Sequence, residues 1–263
     1  MKRQRFFTDT GAEVPAVTTS QMREVDRIAI QETGPNLFQM IENAGRSLAE
    51  MALERLGGDW QNARIVVLTG TGGNGGGGIT AARHLANRGS RVELCLAVPD
   101  RLSEVAAWQR KVFQSTTGKE VEFRNLDSGP VRLILDALIG YGLQSAPEGV
   151  FAALIRWANG TRAPIISLDV PSGRDSTIGA TPGEFIWPSQ TMTLALTKTG
   201  LAQQGVGELV LADIGIPEET YRRIGVSYVS PFGNRFRVPL FYRNKADTAE
   251  AGGRFVQGSR RKN

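Results

Sequence analysis

Polar side chains that could take part in catalysis or ligand binding follow several apolar segments of this sequence, at points where strands would end. They are Asn74 in a glycine-rich stretch, Asp136 after Leu-Ile-Leu, Asp169 and Ser172 in Asp-Val-Pro-Ser, and Lys198 after Thr-Leu-Ala-Leu-Thr. Carboxylates can accept and return protons, and amide, hydroxyl and ammonium groups can orient a polar ligand. In an open parallel sheet, ligands bind where the carboxyl ends of strands meet helix N-termini. We therefore expect these side chains to form one site at one edge of a sheet.

The glycine-rich stretch is the strongest local feature, because seven of the nine residues from Gly70 to Gly78 are glycine. The β-branched run Ile65–Thr69 predicts a buried parallel strand before it, and Ile79–Asn87 predicts a helix after it. Such a unit aims backbone N–H groups and the positive end of a helix at one point, which favours a phosphate. A tight turn with positive φ would explain two of the glycines but not seven. The stretch therefore predicts a phosphate or nucleotide site.

Strand and helix patterns alternate along most of the chain. The predicted strands are residues 65–69, 91–98, 121–123, 133–135, 164–168, 191–196 and 208–211, and the predicted helices are residues 19–31, 36–56, 79–87, 103–114 and 148–159, with a short helix after Pro217. Thr18 and Gln21 have the spacing of a capping box at the first helix. This alternation predicts an α/β fold, with a mostly parallel sheet, helices on both faces and two helices before the first of these strands.

The ends of the chain differ from its body. We expect a loose arm at residues 1–16, one domain over residues 17–230, and a basic, disordered tail over residues 231–263. The net charge is +5, and residues 242–263 contribute six basic against two acidic side chains. The basicity therefore belongs to the tail, and it argues against a nucleic-acid-binding body.

Composition excludes several classes of protein. No apolar run approaches the ~20 residues that a spanning helix needs, and the basic start Met1–Phe7 is followed by a polar segment rather than by an apolar one. The single cysteine, Cys95, excludes an internal disulfide, and the single histidine, His84, argues against zinc. We expect a cytoplasmic protein without a membrane span.

The dinucleotide fingerprint G-x-G-x-x-G is formally present from Gly70 to Gly75. The match is weak, because the acidic residue expected ~20 positions later is missing and Glu93 falls inside the next predicted strand. Two predicted helices also precede this unit. An NAD-dependent oxidoreductase is therefore not the favoured hypothesis.

Four parts of the sequence carry a family resemblance. They are VTTSQMREVDRIAI with QMIENAGRSLAE, GTGGNGGGGITAARHLANRG, DALIGYGL, and LDVPSGRDSTIG with TKTGL and ELVLADIGIP. Together they resemble the NAD(P)H-hydrate epimerases, the YjeF N-terminal domain family. The resemblance implies a Rossmann-like three-layer α/β/α sandwich and an isomerase that interconverts the R and S forms of NADH or NADPH hydrated at C6 of the nicotinamide ring. It also implies a potassium ion, a homodimer and a separate dehydratase that repairs the S form.

The resemblance also assigns site residues. It makes Asn74 a contact of both the substrate and the cation, makes Asp136 and Ser172 further cation ligands, and places Asp169 against the substrate. The backbone positions that it adds to the substrate site are Gly75, Gly76, Gly140, Gly142 and Leu143. Asp169 and Asp136 are the candidates for the base that moves the proton when the C6–oxygen bond is released and re-formed. If Asp136 binds the cation, Asp169 is the better base.

Two glycines depart from the family pattern. Where the family has N-N-G-G-D-G, Gly73 replaces the first asparagine and Gly77 replaces the aspartate. Two hypotheses follow: an active, divergent epimerase, or a degenerate nucleotide-binding or protein-interaction module like the scaffolding domains of mRNA-decapping proteins. The retained Asn74, Asp136, Asp169 and Ser172 favour activity. Lys198 stays open between a phosphate contact and a strand-end side chain.

Overall fold

The computed structural model describes residues 5–127 and 129–243. Its strands are β1 (Arg5–Thr8), β2 (Glu13–Val14), β3 (Ala16–Val17), β4 (Arg64–Thr69), β5 (Arg91–Leu96), β6 (Lys119–Glu120), β7 (Leu133–Ala137), β8 (Ile165–Leu168), β9 (Gln190–Leu194), β10 (Thr197–Lys198), β11 (Glu208–Ala212) and β12 (Arg237–Arg243). Ten of them form one sheet in the order β2-β1-β12-β11-β9-β8-β7-β4-β5-β6. From β11 to β6 every neighbouring pair is parallel. The predicted α/β class with a mostly parallel sheet is confirmed.

Helices cover both faces of this sheet. They are α1 (Thr19–Ile28), α2 (Leu37–Leu56), α3 (Gly73–Ala86), α4 (Glu104–Phe113), α5 (Gly149–Gly160) and α6 (Glu218–Arg223). Side chains of β4 alternate between the faces: Ile65 and Val67 pack with α2, α3 and α4, whereas Val66 and Leu68 pack with α5. The three layers of the predicted sandwich follow from this alternation.

The two N-terminal helices form where the sequence indicates. The hydroxyl of Thr18 and the amide of Gln21 make the predicted reciprocal capping box at α1, and Asn36 with Gln39 makes a second one at α2. After Ile28 the chain continues as a π-helical turn, Ala29–Thr33, so the helical segment extends slightly past the predicted end. These caps fix the start of α1, whose first turns border the functional edge of the sheet.

The glycine-rich stretch is helical earlier than predicted. Helix α3 begins at Gly73 rather than near Ile79, and Gly70 to Gly78 contains no positive φ. Close packing explains these glycines: a Cβ on Gly70 would lie 1.9 Å from the carbonyl oxygen of Leu138, and one on Gly78 would lie 2.5 Å from Cβ of Ala137. Glycine therefore lets the loop and the helix approach the neighbouring strand.

The prediction of a loose arm at residues 1–16 and a disordered tail at residues 231–263 is partly wrong. Residues 5–8 pair antiparallel with β12, and residues 13–14 extend the same edge of the sheet. Strand β12 also pairs with β11, so residues 237–243 belong to the sheet and not to a tail. Burial of Phe6 and Val238 explains the pairing, since both side chains are fully removed from water. The remainder of the predicted tail, residues 244–263, lies outside the described residues.

Two strand predictions need correction. The strand expected at residues 121–123 lies at Lys119–Glu120, and Phe123–Asn125 forms a 3-10 turn. The strand expected to reach Leu196 ends at Leu194, because Ala195 adopts a φ of 61°. The chain then resumes as β10, where Lys198 pairs with Val17. This short break determines where Lys198 points. Among the described residues, no helix is both long and apolar enough to cross a membrane.

Candidate active site

A cavity of about 780 Å³ opens at the carboxyl ends of β4, β7 and β8, next to α1 and α2. This volume lies in the range that holds a large organic ligand, ~300–1,000 Å³. Five of the predicted site residues line it, and they are Asn74, Gly140, Gly142, Leu143 and Asp169. The expectation that polar strand-end residues meet at one edge of the sheet is met for this group.

Asp169 lies at the centre of the polar wall of the cavity. It follows β8 and adopts a φ of 68°, which is a strained conformation for a residue with a side chain. One carboxylate oxygen, Oδ1, is ion-paired with Lys198, and the other, Oδ2, accepts a hydrogen bond of 3.0 Å from the backbone N–H of Tyr141. Only 3% of Asp169 is exposed, so the carboxylate is held in one orientation by two donors.

Lys198 is a partner of Asp169 and not a solvated strand-end side chain. It is 1% exposed and donates to the carbonyl oxygen of Leu194 at 2.8 Å and to Oγ1 of Thr193 at 3.3 Å. Every ammonium hydrogen thus has an acceptor, counting Asp169. The pairing of β10 with β3, more than 170 residues away along the chain, holds the lysine backbone in place. A contact of this range is not visible in the local sequence.

Asp26 and Tyr141 are functional candidates that the sequence analysis missed. Both line the cavity, and the phenol of Tyr141 donates a hydrogen bond of 2.5 Å to Oδ2 of Asp26. Burial raises the pKa of Asp26 above its ordinary value, although the hydrogen bond from Tyr141 opposes this. The sequence contains one indication that Asp26 is unusual. It follows the buried Val25 and stands one turn after the buried Met22, a position where an apolar residue is expected.

Asp136 and Ser172 meet beneath the cavity rather than in it. Asp136 is 0% exposed, and its carboxylate accepts from the hydroxyl of Ser172 at 2.5 Å, from the hydroxyl of Ser167 at 2.7 Å and from the backbone N–H of Ser172 at 3.0 Å. Burial raises the pKa of Asp136. With no exposed atom, Asp136 is not placed to touch a substrate, so the prediction of Asp136 as a candidate base is corrected.

This buried pair also holds the loop that lines the cavity. Ser172 Oγ accepts a hydrogen bond of 2.8 Å from the backbone N–H of Ile139, and Asp136 accepts one of 3.3 Å from that of Leu138. The loop therefore leaves β7 in a defined direction and delivers Gly140 and Tyr141 to the cavity. Asp136 and Ser172 act on the site by positioning this loop.

The N-terminus of α3 contributes backbone donors. Gly72 precedes the helix without a side-chain cap, and the N–H of Gly76 donates to the carbonyl oxygen of Gly72 at 3.0 Å, which closes the first helical turn. Gly75 and Gly76 do not line the cavity, because both are packed inside the fold, so their predicted place is corrected. The N–H groups of Gly73 and Asn74 are available to an anion.

The side chain of Asn74 connects the helix to the two loops beside it. We assign its amide so that the oxygen accepts from the backbone N–H of Gly140 at 3.3 Å and the nitrogen donates to the carbonyl of Leu168 at 3.2 Å. A Cβ on Gly140 would lie 3.1 Å from this amide and 3.2 Å from Oδ2 of Asp169. Gly140 therefore lets Asn74 and Asp169 approach the same point.

A hard cation fits the donor chemistry of this region. Asp136 is a buried carboxylate with no basic side chain at hydrogen-bond distance among the described residues, and a buried charge needs a counter-charge. Asn74, Asp136 and Ser172 offer only oxygen and amide groups, which suit such a cation. Within residues 5–127 and 129–243 no group of three or more His, Cys, Asp or Glu side chains could hold a metal ion.

Comparisons with known proteins agree with the fold. Residues 37–200 match a family model described as YjeF-related protein N-terminus. An NAD(P)H-hydrate epimerase of Dehalogenimonas lykanthroporepellens is 51% identical over 237 residues, which are 90% of this chain and 97% of that protein. The crystal structure of yeast ynu0 (YNL200c) superposes with a TM-score of 0.74 at 20% identity, covering 86% of this chain and 100% of that one.

Two further relatives are longer than this chain. A bifunctional NAD(P)H-hydrate repair enzyme Nnr of Salinibacter ruber is 35% identical over 77% of this chain, and the match spans 41% of that enzyme. An enhancer of mRNA-decapping protein 3 from Macaca fascicularis is 31% identical over 90% of this chain, and the match spans 47% of that protein. The same fold is thus present in repair enzymes and in a protein named for mRNA decapping.

Proposed function

The chain belongs to the family of YjeF-related N-terminal domains, and we propose from this premise that it is an NAD(P)H-hydrate epimerase. The observation that carries the proposal is the buried ion pair of Asp169 and Lys198 on the wall of a cavity large enough for a dinucleotide. A purely structural ion pair would not need to face such a cavity, and buried charged pairs are costly to maintain. The resemblance read from the sequence is confirmed at the level of the family.

Binding begins at the N-terminus of α3 in this proposal. The N–H groups of Gly73 and Asn74 and the positive end of the helix hold the diphosphate of the hydrated cofactor. The apolar part of the cavity wall, which includes Leu37, Ile41 and Leu138, covers the rings. Asn74 and the 140–143 loop then bring the nicotinamide towards Asp169.

The chemistry is a proton-dependent exchange of one hydroxyl group. A proton passes to the hydroxyl oxygen on C6, the C6–O bond breaks with its electron pair, water leaves, and ring nitrogen N1 forms a double bond to C6. Water then adds to the other face, its proton passes to a base, and the electron pair returns to N1. No electrons are gained or lost, so the reaction is an isomerisation.

Asp169 is the base in this scheme. Its carboxylate accepts the proton of the incoming water, and Lys198 and the N–H of Tyr141 keep it oriented through the two contacts described above. Asp136 and Ser172 hold the loop against which the ring lies. Correct positioning of the reacting groups is itself a large part of the rate acceleration.

A potassium ion is part of the proposal, and Asn74, Asp136 and Ser172 are the residues that would hold it. When bound, the ion would supply a positive charge that offsets the charge of the diphosphate and of the buried carboxylate. We also propose that the protein is a cytoplasmic homodimer and that it works with a separate dehydratase. The name of one relative, a bifunctional NAD(P)H-hydrate repair enzyme, supports the pairing with a second activity.

The second candidate function is a binding module without catalysis. Gly73 and Gly77 favour it, since both stand where the family carries polar side chains. The similarity to an enhancer of mRNA-decapping protein supports the same alternative. The ion pair facing the cavity favours catalysis.

A coupled assay tests the choice between these functions. Purified R-hydrate of NADH or NADPH is mixed with an excess of an S-specific dehydratase, and recovery of the reduced nicotinamide absorbance is followed with potassium present. An epimerase accelerates this recovery above the spontaneous rate, and Asp169→Asn removes the acceleration while Glu24→Gln, on the exposed face of α1, retains it. Saturable binding of the hydrate without acceleration would identify the binding module instead.

A further inference from the structure

Asp26 is a carboxyl group that the scheme above leaves without a role. It stands on α1, lines the cavity, and uses only Oδ2 in its hydrogen bond with Tyr141. The other oxygen, Oδ1, makes no hydrogen bond within the described part of the chain and is not among the buried unpaired atoms. It is therefore accessible from the cavity, with one side of the carboxyl anchored and the other free.

Tyr141 connects this carboxyl to the base. Its backbone N–H donates to Asp169 at 3.0 Å, and its phenol donates to Asp26 at 2.5 Å. The two carboxyl groups thus lie at opposite ends of one tyrosine residue, and their charges are close enough to interact. Both carboxyl groups also lie on the wall of the same cavity.

Epimerisation at a single carbon needs proton transfer on two faces. The departing hydroxyl takes a proton on one face of the ring, and the incoming water gives up a proton on the other. A single carboxylate fixed by Lys198 and Tyr141 cannot move between the faces. A second group with a free oxygen is therefore needed, and two further carboxyl groups, those of Asp26 and Glu148, line the cavity. Asp26 is the better placed of the two, because it is half-buried and joined to Asp169 through Tyr141, whereas Glu148 is exposed.

We propose that Asp26 is the second proton-transfer group of the epimerase, serving the face of the nicotinamide ring opposite to that served by Asp169. This inference rests on the proposed function. In one direction the Asp26 carboxyl gives its proton to the C6 hydroxyl, which leaves as water with the C6–O electron pair. Asp169 then takes the proton from the water that adds to the other face. The roles exchange in the reverse direction, and exchange with solvent or a reverse turnover restores both groups.

The surroundings of Asp26 suit the role of an acid. Burial keeps its pKa above the ordinary aspartate value, and a catalytic acid works best when its pKa lies near the working pH. The titratable groups whose charges or hydrogen bonds act on the pKa of Asp26 are Tyr141, Lys198 and Asp169. Lys198 and Tyr141 oppose the rise, and Asp169 supports it. Asp26 in turn contributes to the raised pKa of Tyr221 on α6, which burial mainly causes.

The test uses Asp26→Asn, Tyr141→Phe and the matched control Glu24→Gln. Glu24 is a carboxylate of the same helix, ion-paired with Arg27 on the exposed face. We expect Asp26→Asn to lower kcat for the R-hydrate by about 10²–10⁴-fold, the usual range for loss of a general acid or base, with little change in KM. Tyr141→Phe removes the hydrogen bond that lowers the pKa of Asp26, so the limb of the kcat–pH profile due to Asp26 moves to higher pH. Asp26→Asn abolishes that limb.

The possible outcomes separate this inference from the proposed function. An inactive wild-type protein overturns both. An active wild-type protein with an equally active Asp26→Asn variant overturns the inference alone. If Asp26 only positions Tyr141, both variants raise KM or lower the midpoint of thermal unfolding, and the pH profile keeps its shape, which also contradicts the proposal.

Discussion

Lys198 and Asp169 are joined in an ion pair whose side chains are only 1% and 5% exposed. The two residues come from separate strand ends, and the lysine has no other acidic partner among the described residues. In a low-dielectric environment each charge depends on the other, because an unpaired buried charge is far more costly than a paired one. We therefore expect this one ion pair to affect both the stability of the fold and the chemistry of the site.

Removal of one member of this pair should destabilise the fold. We expect Lys198→Met to lower the free energy of unfolding by about 3 kcal/mol, because it leaves a buried carboxylate with only the Tyr141 N–H as a partner. The measurement is urea unfolding followed by circular dichroism. The double variant Lys198→Met/Asp169→Asn should recover part of the loss. Equal stability of the single variant and the wild type would show that water reaches the pair freely.

Introducing the residues that the resemblance expects should have different effects at Gly73 and at Gly77. A Cβ on Gly73 would meet only Cδ1 of Ile41 at 3.6 Å, an ordinary contact, whereas one on Gly77 would lie 2.7 Å from Cδ2 of Leu168. We expect Gly73→Asn to change the free energy of unfolding by no more than about 0.5 kcal/mol. Gly77→Asp should cost about 1–3 kcal/mol, because the surrounding core is already filled.

A double-mutant cycle checks the cause of the Gly77 penalty. If Leu168 is the obstacle, Gly77→Asp costs less in a Leu168→Ala background than in the wild type. Penalties of equal size in both backgrounds would place the strain elsewhere. On this view, the close packing of α3 against Leu168 of β8 leaves little room for the aspartate that the resemblance expects at Gly77.

The backbone N–H of Gly73 can be tested separately from its lack of a side chain. Gly73 is the first residue of α3, a position where proline is tolerated, and Gly72 has the extended conformation that a following proline requires. We expect Gly73→Pro to raise KM for the hydrate by about 10-fold, the effect of losing one hydrogen bond to a charged group. Gly73→Ala keeps the N–H and should bind normally. An unchanged KM in the proline variant would exclude this donor from phosphate binding.

The parts of the fold that local sequence predicts are those determined by local patterns. The apolar run of β4 and the capping residues around Thr18 and Asn36 lead directly to the observed elements. The start of α3 could not be predicted in this way, since glycine disfavours helices and only the contacts with Leu138 and Ala137 explain the stretch. Tertiary packing overrides propensity there.

The site also contains features that the local sequence predicts and features that depend on tertiary contacts. The strand-end positions of Asn74 and Asp169 follow from the alternation of strands and helices, because carboxyl ends of parallel strands share one edge. The contacts of Lys198 and Asp26 depend on residues far along the chain: the Tyr141–Asp26 hydrogen bond spans 115 positions. A burial pattern alone also cannot tell that Asp136 lies beneath the cavity rather than in it.

Potassium should stabilise the protein through Asp136. Replacement of choline chloride by potassium chloride at constant ionic strength supplies a counter-charge to a carboxylate that has no basic partner among the described residues. A ligand that binds only the folded state stabilises it by about 2.7 kcal/mol at 100 times its dissociation constant. We therefore expect the midpoint of thermal unfolding to rise with potassium concentration and to saturate. Asp136→Asn should unfold at the same temperature in both salts, whereas Glu24→Gln should respond like the wild type. A wild-type midpoint that is identical in the two salts would remove potassium from the proposal and leave Asp136 as a residue that only positions the loop.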